Sequence, residues 1–192
     1  MKANPFKALM ILLPGLLGGH GSVSSQILFP PDSVVLPPPE YPVLLVPGWS
    51  KGSQELNPLR ERLIRDGWPE GWVLALDFQD PVGSNREHAR EIREAIQDLL
   101  DRTGARQVDV VAHSMGGLAL WLLLQQEGDL IPIRRVVFLA SPLQGTLVAH
   151  LAWGAGGEEM QPGSEFLEEL QRGPAPGHWV DALTIRTPLD LT

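Results

Sequence analysis

The sequence predicts an α/β fold, a mostly parallel sheet with helices on both faces, and three observations carry that prediction. Short β-branched apolar runs alternate with longer stripes of helical spacing, the pattern of buried strands joined by crossover helices. The chain has 192 residues, enough to bury a single core without a metal or disulfide to staple it. It contains no cysteine, which excludes a disulfide framework, a thiolate nucleophile and a cysteine-based metal site. With 15 basic and 23 acidic side chains the formal charge is −8, and without a long Lys/Arg run this argues against a nucleic-acid partner.

Residues 1–24 read as a signal peptide. Lys2 and Lys7 precede the apolar stretch Ala8 to Leu17, and Ser22-Val23-Ser24 supplies the small residues a signal peptidase requires. The apolar run is about half the length of a stable transmembrane helix. The expectation is therefore a secreted protein, extracellular or periplasmic, with no stable transmembrane segment. Residues 25–42 read as a linker, because Pro30, Pro31, Pro37, Pro38, Pro39 and Pro42 favour extended backbone. Residues 43–192 form the folded domain, with neither an internal repeat nor a second domain.

Within it, strands are expected at Val43 to Val46, Val73 to Leu76, Val108 to Val111, Val136 to Leu139 and Leu183 to Arg186. Leu56, Leu59 and Leu63 give a weak helical stripe after the first strand. Ala89, Ile92, Ile96, Leu99 and Leu100 give a strong one after the second, with Ser84 and Glu87 as a capping box and Gly104 as its end. Met115 to Glu127 is a third, continuously apolar helix, and Phe166 to Leu170 is helical. Trp68 and Trp72 are expected in the core and His88 on the solvent face.

The chemistry is concentrated where the third strand turns into the third helix, in Ala112-His113-Ser114-Met115-Gly116-Gly117. A serine on a sharp strand-to-helix turn is forced into a strained backbone conformation, so the residues two positions away must be small. Ala112 and Gly116 meet that demand. The helix then aims its N-terminal dipole and free N–H groups at charge developing near Ser114. A serine acting only as a helix N-cap is the plainer reading of the same residues.

With these residues the chain resembles secreted bacterial lipases and esterases of the α/β-hydrolase fold, in the group whose nucleophile elbow begins with Ala. Further matching segments are Val43-Leu44-Leu45-Val46-Pro47-Gly48-Trp49, Ala140-Ser141-Pro142-Leu143-Gln144-Gly145-Thr146 and Met160 to Leu167. Departures are Pro47-Gly48 where the family commonly has His-Gly, and Leu143 where it often has His. The resemblance implies carboxylic-ester hydrolysis through an acyl-enzyme on Ser114, with the N–H groups of Met115 and Trp49 as the oxyanion hole. It also implies Asp190 as the triad acid, following the last strand in a Thr-Ile-x-x-Pro-x-Asp pattern. Asp181 is the rival carboxylate, at the wrong end of that strand.

The family order Ser, Asp, His requires a histidine after Asp190, and only Leu191 and Thr192 follow it. His20 lies in the leader, His113 is expected to point away from the serine, and His150 and His178 are loop residues, either of which is the alternative base if it has migrated to Ser114. The chain therefore reads as a hydrolase fold truncated at its C-terminus, missing its last strand, histidine and helix, and is expected to be inactive or weakly active. A non-catalytic hydrolase-like binding protein and a serine acyltransferase are the alternatives. No cofactor or metal is implied, since Glu158-Glu159 and Glu168-Glu169 lack calcium-loop spacing and read as solvated helix faces. The expected partner is an ester or lipid substrate, met at a lipid–water interface, and the expected state is a monomer. Leu147 to Gly173 is the candidate for a cap over the site.

Overall fold

The computed structural model describes residues 39–186. The expected signal peptide, most of the linker and Asp190 lie outside the described residues. Among those described, five parallel strands form one sheet: β1 (Val43–Val46), β2 (Val73–Ala75), β3 (Val108–His113), β4 (Ile133–Leu139) and β5 (Asp181–Ile185), in the order β2-β1-β3-β4-β5. The helices are α1 (Asn57–Arg65), α2 (Asn85–Thr103), α3 (Met115–Glu127), α4 (Gly154–Glu159) and α5 (Glu165–Arg172). The predicted α/β class is the observed one. The main differences are in extent, β4 beginning three residues earlier and β5 two residues earlier than the apolar runs suggest.

Successive strand residues point to opposite faces, so a strand covered on both sides must be apolar throughout. Leu44, Val46, Val110, Ala112, Val136 and Phe138 share one core with α2 and α3. The intervening Leu45, Val111 and Val137 are also buried and face the other way. The expected stripe of α2 is buried, as is every residue of α3 from Met115 to Leu124. This explains why α3 lacks a polar face.

Helix α2 begins at Ser84, whose hydroxyl accepts the Arg86 N–H at 3.2 Å, but Glu87 does not complete a capping box. Glu87 pairs instead with Arg90. The capping carboxylate comes from Glu159 at the end of α4: it accepts the Ser84 hydroxyl at 2.6 Å, the Asn85 backbone N–H at 2.6 Å and the Asn85 side-chain amide at 2.8 Å. A negative charge is favourable at a helix N-terminus, where backbone donors lack partners. Glu159 is thus turned inward, not onto a solvated face. Gly104 ends α2 as expected, at φ 68°.

Two further expectations are corrected. Trp68 and Trp72 are half-buried because they lead into β2, the edge strand, and have sheet on one side only; the Trp68 indole N–H donates to Tyr41 O at 3.1 Å. His88 is buried, since helical spacing puts it on the face of Ile92, Ala95 and Leu99. Its ring stacks on Phe78 at 3.9 Å, and Nε2 lies 2.7 Å from Asp80 O.

The strand order places the site. From β1 the chain moves outward to β2, while from β3 it moves the opposite way to β4, so the loops after β1 and β3 diverge. Ligand crevices of open α/β sheets form at such a switch point, beyond the carboxyl ends of the strands.

Candidate active site

Ser114 sits in that crevice, between the end of β3 and the start of α3, with φ 49° and ψ −124°. A non-glycine residue in this region is strained, and the surroundings hold it there. Its N–H donates to Leu139 O of β4 at 2.9 Å, and its carbonyl accepts the Gly117 N–H at 3.0 Å. Close packing explains the small neighbours. A Cβ on Gly116 would lie 2.4 Å from Pro47 O, and one on Gly117 would lie 2.6 Å from Ser141 Cβ. Ala112, fully buried, pairs with Val46 on one side and Phe138 on the other.

The loop after β1 lies directly across from the serine. A Cβ on Gly48 would stand 3.0 Å from Ser114 Cβ, so glycine allows an approach that any larger residue would have to relax by a few tenths of an ångström. Around Trp49 the loop is tied at four points: Gly48 N–H to Glu55 Oε2 at 2.8 Å, Lys51 N–H to Gly48 O at 3.2 Å, Ser50 N–H to Pro81 O at 2.8 Å, and the Trp49 indole N–H to Trp153 O at 3.0 Å. Among the described residues the Trp49 backbone N–H takes no part in these ties. Met115, the first residue of α3, has no carbonyl one turn behind it for its own N–H to bond. The structure therefore brings Ser114, Met115 and Trp49 together, and Asp190 falls outside the described residues.

The cleft in front of Ser114 has a volume of about 470 Å³. Trp49, Glu55 and His113 line it on one side, and Ala149, Ala152 and Met160 on the other. Its rim is apolar and solvent-facing, with Leu151 83% and Trp153 63% exposed beside Leu147 and Val148. Trp153 meets the Trp49 ring edge-on at 4.4 Å. These rim residues belong to the segment expected as a cap. Within that same segment, α4 is fastened to the body by Glu159 and by the Gly156 N–H on Val82 O at 3.0 Å.

The histidines are distributed differently from the expectation in one case. His113 lines the same cleft as Ser114, with Nδ1 3.0 Å from Glu55 Oε2. His150 is exposed on the 3-10 turn Leu147–Leu151 and does not line the cleft. His178 precedes β5, and the adjoining Trp179 packs near Gly128 past the far end of α3, so His178 lies toward the amino ends of the strands, away from Ser114. Asp181 opens β5 at that same end, facing Arg135 at 3.5 Å. Among the described residues, no histidine is hydrogen-bonded to Ser114.

Glu55 is the site residue that sequence reasoning missed. Half-buried on the 3-10 turn Ser53–Leu56, it loses hydration, which would push its pKa up. Contact with His113, the Gly48 N–H and the charge of Lys51 outweigh that burial and hold the carboxyl below its ordinary value. Nothing in the spacing from Gly48 to Glu55 marks it in advance.

Comparison with known proteins agrees with this geometry. The profile described as Alpha/beta hydrolase family matches residues 43–190. The chain belongs to the alpha/beta hydrolase family. Among solved structures, this hydrolase is similar to the mature lipase BlEst2 of Bacillus licheniformis, with TM-score 0.66 and 19% identity over 80% of this chain and 68% of that one. It is also similar to phospholipase PlaB of Legionella pneumophila in complex with thio-NAD, with TM-score 0.62 and 19% identity over 75% of this chain and 36% of that one. A third is lipase B of Aspergillus fumigatus, with TM-score 0.55 and 16% identity over 69% of this chain and 33% of that one. At these identities the likeness is one of fold. Among the described residues of the hydrolase, no helix is long and apolar enough to cross a membrane.

Proposed function

We propose that this hydrolase acts on carboxylic esters of the lipase and esterase class, with Ser114 as nucleophile. The observation that carries the reading is the backbone of Ser114, held at φ 49° on the strand-to-helix turn and facing the cleft. Strain of this kind costs on the order of 1–3 kcal/mol and persists where it serves a function. The Ser114 hydroxyl oxygen adds to the ester carbonyl carbon, and the electron pair displaced onto the carbonyl oxygen is met by the N–H groups of Met115 and Trp49. Collapse breaks the ester C–O bond and expels the alcohol, which leaves with the serine's proton. Water then attacks the acyl-enzyme and releases the acid.

Asp190 is the proposed triad acid, and the general base is a histidine held by it. Among the described residues none of His113, His150 and His178 is bonded to Ser114, and any form of the protein without a triad histidine is expected to turn over slowly. Loss of a triad member costs many thousandfold and leaves oxyanion and binding effects intact. The exposed apolar rim supports a lipid or other apolar ester met at an interface. Export through residues 1–24 and action as a monomer belong to the same proposal.

The test is reaction with a fluorophosphonate probe and hydrolysis of p-nitrophenyl esters of graded chain length, each against Ser114→Ala. Labelling that disappears in Ser114→Ala supports the nucleophile. Equal labelling of the two proteins refutes it and favours a non-catalytic binding protein.

A further inference from the structure

We propose that Glu55 is a positioning residue for the oxyanion hole, tying the loop that carries the Trp49 donor to the strand end that carries Ser114. The inference rests on the reading of Ser114 as nucleophile and Trp49 as donor. A single carboxylate oxygen, Glu55 Oε2, accepts the Gly48 N–H at 2.8 Å and lies 3.0 Å from His113 Nδ1. Three groups close in on the α-carbon of Gly48. A Cβ placed there would lie 3.0 Å from Ser114 Cβ, 3.1 Å from His113 Nδ1 and 3.4 Å from Glu55 Oε2.

The arrangement has a geometric consequence. Glycine leaves its own φ and ψ soft, and those two angles orient the next peptide, which contains the Trp49 N–H. The Lys51 N–H on Gly48 O at 3.2 Å and the Ser50 N–H on Pro81 O hold that peptide from its C-terminal side, and the Glu55 bond to the Gly48 N–H fixes the preceding peptide and so restricts it from the N-terminal side. An oxyanion donor must stand about 2.7–3.1 Å from the developing charge, so a free-swinging Trp49 N–H would be a poor one. The 3.0 Å approach of Glu55 Oε2 to His113 Nδ1, a packing contact without hydrogen-bond alignment, sets the loop beside the residue directly before Ser114. The Glu55 side chain is 18% exposed, which limits competition from water for both contacts.

The experiment uses the full chain with Glu55→Ala, Glu55→Gln and Glu55→Asp. Fluorophosphonate labelling of Ser114 is resolved into a maximal rate and an apparent binding constant, and amide hydrogen exchange is followed at Gly48. In Glu55→Ala the maximal rate is expected to fall about 100-fold, the loss typical of one oxyanion donor, with the binding constant nearly unchanged. Gly48 exchange is expected to quicken at least about tenfold while the amides of α3 keep their protection. Glu55→Gln, whose amide oxygen still accepts the Gly48 N–H, is expected to recover most of both losses.

Unchanged Gly48 exchange or an unchanged labelling rate in a folded Glu55→Ala protein overturns the proposal. If Glu55→Ala does not fold, the order Gln near wild type with Asp well below it supports the proposal, and the reverse order overturns it. Where wild-type protein does not label, Gly48 exchange alone decides whether Glu55 holds the loop.

Discussion

Replacing Gly116 with alanine adds one methyl group where α3 crosses the end of β1. The added Cβ would lie 2.4 Å from Pro47 O, 2.7 Å from Val46 Cγ1 and 3.3 Å from Val46 O. Carbon and oxygen sit comfortably at about 3.3–3.6 Å, so the helix and the strand end must part by roughly 1 Å. Pro47 O and Val46 O are backbone atoms and cannot rotate away. Overpacking of this kind costs about 1–3 kcal/mol, offset by about 1 kcal/mol from alanine's preference for helix, so a net loss of up to about 2 kcal/mol is expected. Function should suffer more. The displaced Pro47 carbonyl belongs to the peptide that leads into Gly48 and Trp49, and a misplacement of about 1 Å at a reacting group can cost about 100-fold in rate.

The assay pairs urea unfolding followed by circular dichroism with fluorophosphonate labelling of Ser114. Gly71→Ala is the control, because a Cβ there meets nothing within 4 Å, and its stability should stay within about 0.5 kcal/mol of wild type. A Gly116→Ala protein as stable as this control, with unchanged labelling, would refute the packing argument for the elbow.

Three further outcomes are expected. Ser114→Gly should abolish labelling and raise stability by about 1 kcal/mol in urea unfolding, because glycine adopts φ 49° without strain and returns part of that gain as chain entropy. Glu159→Ala should cost about 2–3 kcal/mol by the same measurement, since it removes three hydrogen bonds from the N-terminus of α2 and leaves the buried Asn85 amide unpaired. A loss no larger than that of Glu158→Ala would contradict it. The Glu55 carboxyl, held below its ordinary value in the fold, contributes stability that is complete above its unfolded pKa and is lost as pH falls through its folded one. The stability gap between wild type and Glu55→Gln should therefore shrink on acidification below the ordinary carboxylate range, and a gap that widens there would reverse the sign of the argument.

Residues that interact with near neighbours in the chain were legible in the sequence. The strand Val43 to Val46 and the helix Met115 to Glu127 match their apolar runs end to end. Ser84 and Gly104 mark the ends of α2 because capping depends on local backbone angles. The elbow was legible for the same reason, since Ala112, Ser114 and Gly116 must satisfy one turn together. Contacts across the fold left no comparable trace. The partner of Ser84 is Glu159, 75 positions away, while the nearer Glu87 turns to Arg90. His88 carries a polar side chain on an apolar face, so composition suggests solvent and helical geometry puts it inside.

The sequence by itself determined the α/β class, the position of the strained strand-to-helix turn at Ser114 and the need for small residues around it, because all three follow from periodicity and from steric limits within a few residues. Only the tertiary structure decided that Glu55 holds Gly48 and contacts His113, that Trp49 leans on Trp153, and that the apolar cap residues stand around the cleft. The physical reason is the switch in strand order between β1 and β3. It brings the ends of two strands and the residues that follow them to one crevice, although more than 60 positions of chain separate Gly48 from Ser114.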